Sequence, residues 1–395
     1  MLYLLMFLSM TMASIVEIAN VNLLLQKYVI IFLTAMFVLV AGLRYETGVD
    51  WLVYTNMFRD TPAIDQITDS IGRSEIFSSV DYGYCLFISL VKYLGGSIQV
   101  VFLIISFASS LFLYKSLKTY SDGRVISMLL YFSLIFFILD MSGLRQGFAL
   151  SIFFYALRYI QKREFLPYFG FMMLAASFHW SAYLLIPCYF IIYRRFSSIS
   201  LIVIFVLSLC IFILKIGWLQ FVFLKGLSGI TNEFVVTKLF TYTTTFEAGR
   251  GLTANTIINI LFYITTFIFA FYYRKHLELK NKYFNLFLNI YICQIVAYFA
   301  LYEFIEMADR LRLYFLVANI VLLPGLVYLF TSVKERTLIF TYVFAFAFFS
   351  CKPYVLNSDV TIAYHPYQNY IIHKIFNLDS TGEERLKKHA EIHAQ

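Results

Sequence analysis

Charge is scarce in this chain: 14% of its 395 residues are Asp, Glu, Lys or Arg, where a soluble globular domain carries about 25%. A surface with so few charged groups is itself largely apolar, which excludes a water-soluble fold. The five cysteines, Cys85, Cys188, Cys210, Cys293 and Cys351, are scattered and include no C-x-x-C pair. They give neither a disulfide framework nor zinc spacing and read as small buried hydrophobes. No P-loop, H-E-x-x-H or Asp-x-Asp element is present, so neither a metal nor ATP nor any other cofactor is expected. No Gly/Ser- or Pro-rich linker divides the chain. The run 1–19 lacks a basic leader region and a small-residue cleavage site, and reads as a retained helix.

What is abundant is apolar. Hydrophobic residues make up 61%, with 44 Phe and 31 Tyr, a composition suited to lipid-facing packing and interfacial belts. Crossing the roughly 30 Å hydrocarbon core takes about 20 mostly apolar residues, and backbone polar groups within it must be satisfied internally, so apolar runs there are helices. Twelve runs are expected to be transmembrane helices, at about 2–19, 28–43, 97–114, 125–140, 147–160, 165–178, 181–193, 199–216, 254–273, 283–302, 311–330 and 337–352, the pair around 165–193 being alternatively one re-entrant unit. The expectation is an all-α polytopic bundle: a single transmembrane domain over 1–353 and a polar tail over 354–395. Long connections at 44–82 and 217–253 border or carry apolar stretches, Tyr84–Leu94 and Trp218–Leu224, that read as short interfacial helices.

The net charge of +8 reports topology before any partner, and no nucleic acid is expected. One alternate set of connections carries Lys27, Lys115, Lys118, Arg124, Lys162, Arg163, Arg194, Arg195, Arg274, Lys275, Lys280, Lys282, Lys334 and Arg336; it is expected to be cytoplasmic. Both long loops and both termini then fall on the opposite side.

Ionisable residues on that opposite side need a reason, because they are costly at membrane depth unless paired or in a wet cavity. They are Arg44, Glu46, Asp50, Asp140, Arg145, His179, Arg250, Glu303, Glu306, Asp309, Arg310 and Arg312. Six helix ends bearing them on one face suggest a single outward-facing polar pocket. Arg44, Arg145, Arg250 and Arg310 or Arg312 suit a pyrophosphate, since a guanidinium stays charged and grips phosphate oxygens bidentately. His179 is the first candidate base, because imidazole titrates near neutrality, and Asp50 the second, or an orienter of Arg44. Plainer readings stand beside these. Asp50 and Arg44 suit a structural pair, Arg250 a solvated loop tip, and the spacings Glu306/Arg310 and Asp309/Arg312 suit ordinary ion pairs along a helix.

Three segments add a resemblance. Arg44-Tyr45-Glu46-Thr47-Gly48-Val49-Asp50-Trp51-Leu52-Val53-Tyr54 resembles the R-x-x-x-G-x-D-x-x-x-Y signature of the EpsG/Wzy-type polysaccharide polymerase family. Leu144-Arg145-Gln146-Gly147-Phe148-Ala149 is similar to its R-Q-x-x-A element, and Phe178-His179-Trp180-Ser181-Ala182 to its F-H-x-S-A element. Tyr364-His365-Pro366-Tyr367 is similar to a tail element. The resemblance implies a metal-independent glycosyltransferase of the bacterial inner membrane, with its site facing the periplasm. Such an enzyme moves a growing glycan en bloc from undecaprenyl pyrophosphate to the non-reducing end of a new lipid-linked repeat unit, alongside a flippase and a chain-length regulator. It also brings Tyr54 and Gln146 into the expected substrate-binding set with Arg44, Arg250, Arg310 and Arg312, with His179, Asp50 and Arg145 in the catalytic set. Two alternatives remain: a ligase moving finished polymer onto another lipid, and a flippase. A flippase needs a charged path across the bilayer, and the helix centres carry almost no charge.

Overall fold

The computed structural model describes residues 1–19, 23–66, 81–219 and 251–394. All regular structure among these is helical, apart from one isolated antiparallel bridge between Arg44 and Asn369. Among the described residues four helices are long and apolar enough to cross a membrane: Leu25–Gly42, Ile98–Tyr120, Ala254–Tyr272 and Val333–Val355. A fifth span arises if Ile305–Phe315 and Val317–Leu329, bent by 43°, count as one. Five further apolar helices are shorter: Leu2–Ile18, Phe165–Phe178, Trp180–Ile192, Ser198–Ile213 and Phe284–Ala300. The apolar composition thus becomes a membrane-type helical protein, with four or five full-length spans where twelve apolar runs were expected. The region 165–193 is an α-helix to Phe178, a 3-10 turn over Trp180–Leu185 and a short helix Cys188–Ile192.

The chain forms two compact units, Met1–Tyr189 with Val327–Gln395, and Phe190–Leu326. In the first, α1 (Leu2–Ile18) packs on α14 (Val333–Val355) and on α6 (Arg124–Tyr131), which runs on as a π-helix over Phe132–Asp140. Helix α2 (Leu23–Gly42) lies along α5 (Ile98–Tyr120), α5 along α7 (Leu144–Lys162), and α7 along α8 (Phe165–Phe178). Phe37 of α2 stacks on Tyr131, Phe132 and Phe136 with centroids 4.9 to 6.2 Å apart, which fixes the π segment against α2. Extra residues in a π turn commonly mark functional ends of helices; here the π segment delivers Asp140 and the Met141–Gly143 turn.

The segments between these helices include α3 (Trp51–Asp60) and α4 (Tyr82–Tyr93). Tyr84, Ile88 and Val91 of α4 join Tyr54, Phe102, Ile105 and Leu144 in one buried cluster, so α4 is anchored by its apolar face. The tail is structured too: a 3-10 turn over Asp359–Tyr364, α15 (Tyr370–Phe376) and α16 (Gly382–Ala394).

In the second unit α9 (Ser198–Ile213), α10 (Ala254–Tyr272), α11 (Phe284–Ile295) and α12 (Ile305–Phe315) pack through aromatic contacts such as Phe205 on Phe267 at 4.3 Å. Helix α13 (Val317–Leu329) follows α12. Of the expected interfacial stretch Trp218–Leu224, only Trp218 and Leu219 lie within the described residues. Trp218 Nε1 donates to Ala300 O at 2.7 Å, and the Leu219 N–H to Glu303 Oε1 at 3.1 Å.

Candidate active site

The polar residues of the first unit meet where four chain turns come together: 43–50, 81, 140–145 and 178–181. Asp81 is the N-cap residue of α4. Aspartate is favoured there because its carboxylate can accept the first helical N–H groups, yet this one makes no capping bond. It turns instead to other elements. Oδ1 accepts the backbone N–H of Trp180 at 2.9 Å. Oδ2 lies 3.4 Å from Nη1 of Arg145 and 3.5 Å from Nδ1 of His179. One carboxylate therefore gathers the arginine that opens α7 and the histidine that closes α8. All three are largely buried, with 23%, 10% and 11% side-chain exposure for Arg145, Asp81 and His179.

Close backbone approach makes this possible. A Cβ on Gly83 would stand 2.3 Å from Ser177 Oγ, so only glycine lets the first turn of α4 touch the end of α8. Beneath the charges lies an aromatic floor. The Arg145 guanidinium sits 5.7 Å from the Tyr84 ring and 6.0 Å from the Tyr54 ring, within cation–π reach. Tyr54 meets Tyr84 edge-on at 5.9 Å. Arg145 Nε and Tyr84 Oη are buried and have no hydrogen-bond partner among the described residues. Buried donors are ordinarily satisfied; Arg44 Nε and Nη2 share this state among the described residues.

Asp50, the N-cap residue of α3, reaches the same region through a turn that needs Gly48. That residue has φ +101°, and an added Cβ would lie 2.1 Å from Met141 O. The turn is pinned on one side by the Val49 N–H donating to Ser142 Oγ at 2.9 Å. Burial pushes the Asp50 carboxyl above its ordinary value, while Arg145 and then Arg44 draw it back. Gln146 is buried on the first turn of α7.

The remaining candidates stand differently. Arg44 is wholly enclosed: Nη1 donates to Ala41 O at 2.7 Å and Asp140 O at 2.9 Å, and the guanidinium lies 4.1 Å over the Phe102 ring. It ties the end of α2 to the π segment rather than lining an open surface. Arg310 pairs with Glu306 and Arg312 with Asp309 at 3.0 Å, each along α12 in the second unit, so the plainer helix ion pairs are what forms there. Arg250 lies outside the described residues. Among the described residues no group of three His, Cys, Asp or Glu is arranged to hold a metal ion.

Asp81 was not among the sequence candidates, being one carboxylate of several in the 44–82 connection. Its available signal was position: it stands three residues before Tyr84, where the apolar stretch Tyr84–Leu94 begins, and an N-cap is expected near there.

The fold and these polar helix ends define a multi-helix membrane protein with a buried Arg–Asp–His cluster at one end of a helical bundle. The chain belongs to the EpsG family, whose model matches residues 27–369. No curated protein and no solved structure matches it.

Proposed function

We propose that this protein is a polymerase of undecaprenyl-pyrophosphate-linked oligosaccharide repeat units, acting at the outer face of the bacterial inner membrane. Membership of the EpsG family suggests a polysaccharide-polymerase type of function. The observation that carries the reading is the meeting of Arg145 and His179 on Asp81 above buried aromatic rings. A diphosphate leaving group needs a fixed cation, and an acceptor hydroxyl needs a base held beside it; the cluster supplies both.

In the proposed step a hydroxyl oxygen at the non-reducing end of the acceptor repeat unit attacks the anomeric carbon of the donor glycan. The anomeric C–O bond to the lipid diphosphate breaks, and the lipid diphosphate leaves with the bonding electrons. The hydroxyl proton passes to His179, or to Asp50 as the second candidate. Arg145 faces the charge that grows on the departing diphosphate, the preorganised electrostatic stabilisation worth several kcal/mol in enzymes generally. Asp81 keeps the imidazole in place and stabilises the imidazolium once the proton arrives, as carboxylates do for histidine bases. Arg44 supports the turn carrying Asp50 instead of touching phosphate. Partners in the same reading are the lipid-linked donor and acceptor, a flippase that delivers repeat units and a chain-length regulator. Transfer needs no metal or nucleotide.

The test is incubation of purified protein in detergent with synthetic lipid-pyrophosphate repeat units, without added metal or nucleotide. A ladder of lengthened lipid-linked products is expected. Unaltered substrate with a folded sample sinks the reading, and transfer only to a different lipid acceptor indicates a ligase.

A further inference from the structure

The tail helix α16 carries charged residues along most of its length, yet Arg385 on it is 6% exposed. Its guanidinium is spent entirely on acceptors in the first unit. Nη2 donates to Glu46 O at 2.8 Å and Gln368 Oε1 at 2.6 Å; Nη1 donates to Pro366 O at 2.9 Å and Ala363 O at 3.3 Å. Glu46 is one end of the turn that leads through Gly48 to Asp50, and it holds a left-handed φ of +45°, costly for a residue with a side chain. The same turn is joined to the tail at further points. The Gly48 N–H donates to Ala363 O at 2.9 Å, and the Tyr45 N–H to Gln368 O at 2.8 Å. The Gln368 N–H reaches Thr47 Oγ1 at 3.3 Å, and Ser380 Oγ bonds the Glu46 carboxylate. A Cβ on Gly382 would stand 2.4 Å from Glu46 Cβ, so the start of α16 lies directly on the turn.

We propose that Arg385 is a positioning residue: it clasps the Glu46–Gly48 turn and so holds Asp50 in register beside Arg145. Four acceptors from two chain segments converge on one planar, always-charged fork, which a lysine's single ammonium does not reproduce. The opposite side of the turn is held by Ser142, three residues before Arg145, whose Oγ also pairs with Tyr364 Oη at 2.7 Å. Removing the Arg385 bonds alone therefore loosens the Glu46 end of the turn, and with it Asp50, while Ser142 and α7 stay in place. The family match ends at residue 369, so it carries nothing about Arg385. The inference rests on the reading of Asp50 as part of the site, and its test separates the two.

Thr47 is fully buried inside the clasp. In the full-length protein in detergent, Thr47→Cys is compared with and without Arg385→Ala for its rate of reaction with a polar thiol reagent, subtracting the labelling of the native cysteines. A rise of roughly tenfold or more is expected, with labelling of buried Cys85 and Cys351 unchanged. In the ladder assay, Arg385→Ala is expected to lower kcat by at least tenfold with KM within about twofold, and Arg385→Lys to fall between. Unchanged labelling overturns the clasp, as does exposure of Cys85 and Cys351 together with Thr47→Cys, which is general unfolding. Faster labelling with an unaltered kcat overturns the positioning role. A wild type that makes no ladder, while Arg385→Ala still opens the turn, removes the polymerase reading and leaves the clasp standing.

Discussion

Asp81 accepts the backbone N–H of Trp180 at 2.9 Å, so a carboxylate from the connection between α3 and α4 holds the turn that carries His179. The same carboxylate lies beside Arg145, and through it two helix ends distant in sequence become one site. Asp81→Asn keeps an oxygen able to accept from Trp180 but removes the charge that Arg145 and His179 face. The variant is expected to fold and to lose roughly 100-fold in turnover, the lower range for disabling a positioned acid–base group. Asp81→Ala removes both functions and is expected to lower the melting temperature as well. Steady-state rates and thermal melts of both variants in detergent check the separation.

Asp50 gives a pH-dependent signature. Burial raises its carboxyl above the ordinary value, so ionising it is harder in the folded protein than in the unfolded chain. A group raised in this way favours folding below the unfolded value, about 3.9 for aspartate, and that contribution is lost as pH rises through the folded value. Asp50→Asn removes the penalty. It is expected to melt at or above the wild-type temperature near pH 7, with the difference shrinking as pH falls towards 4. A melting temperature below wild type at pH 7 contradicts the assigned burial.

Arg44 separates a strut from a ligand contact. It is enclosed, with Nη1 on two backbone carbonyls and its plane over Phe102. Hydrogen bonds to charged groups contribute about 1.5–3 kcal/mol each, so Arg44→Ala is expected to destabilise by about 3 kcal/mol or more. Activity per folded molecule should then change less than folded yield. An Arg44→Ala protein of wild-type stability but no activity would instead make Arg44 a substrate contact.

Gly48→Ala tests the turn. With φ +101° and Met141 O 2.1 Å from the added Cβ, the methyl group has no room, and either the 44–50 turn or the 140–143 turn must move. Loss of both stability and activity is expected, measured by melting and product length. A fully active Gly48→Ala protein contradicts the packing described.

The helical class and the polar helix ends were legible in the sequence because both are local. Apolar runs specify helices wherever backbone groups lack water, and charges at their ends stand out against so few others. Arg145 and His179 were singled out in this way. Span boundaries were less legible, because hydropathy measures apolarity and not where a helix breaks: the π segment ends at Asp140, and α12 meets α13 at a 43° bend. Arg44 and Arg310 look alike as letters near helix ends, yet one is sealed against Phe102 and the other pairs along its own helix. Asp81 and Arg385 were missed for a shared reason. Each sits in a segment of several charges, and only tertiary contact selects one of them for burial.

The most direct measurement compares Arg145→Ala with wild type in the lipid-pyrophosphate ladder assay, at matched folded protein. Products beyond the single repeat unit should disappear in the variant while its melting temperature stays close to wild type. A ladder of normal length and rate from folded Arg145→Ala would show that the diphosphate is not held at this cluster.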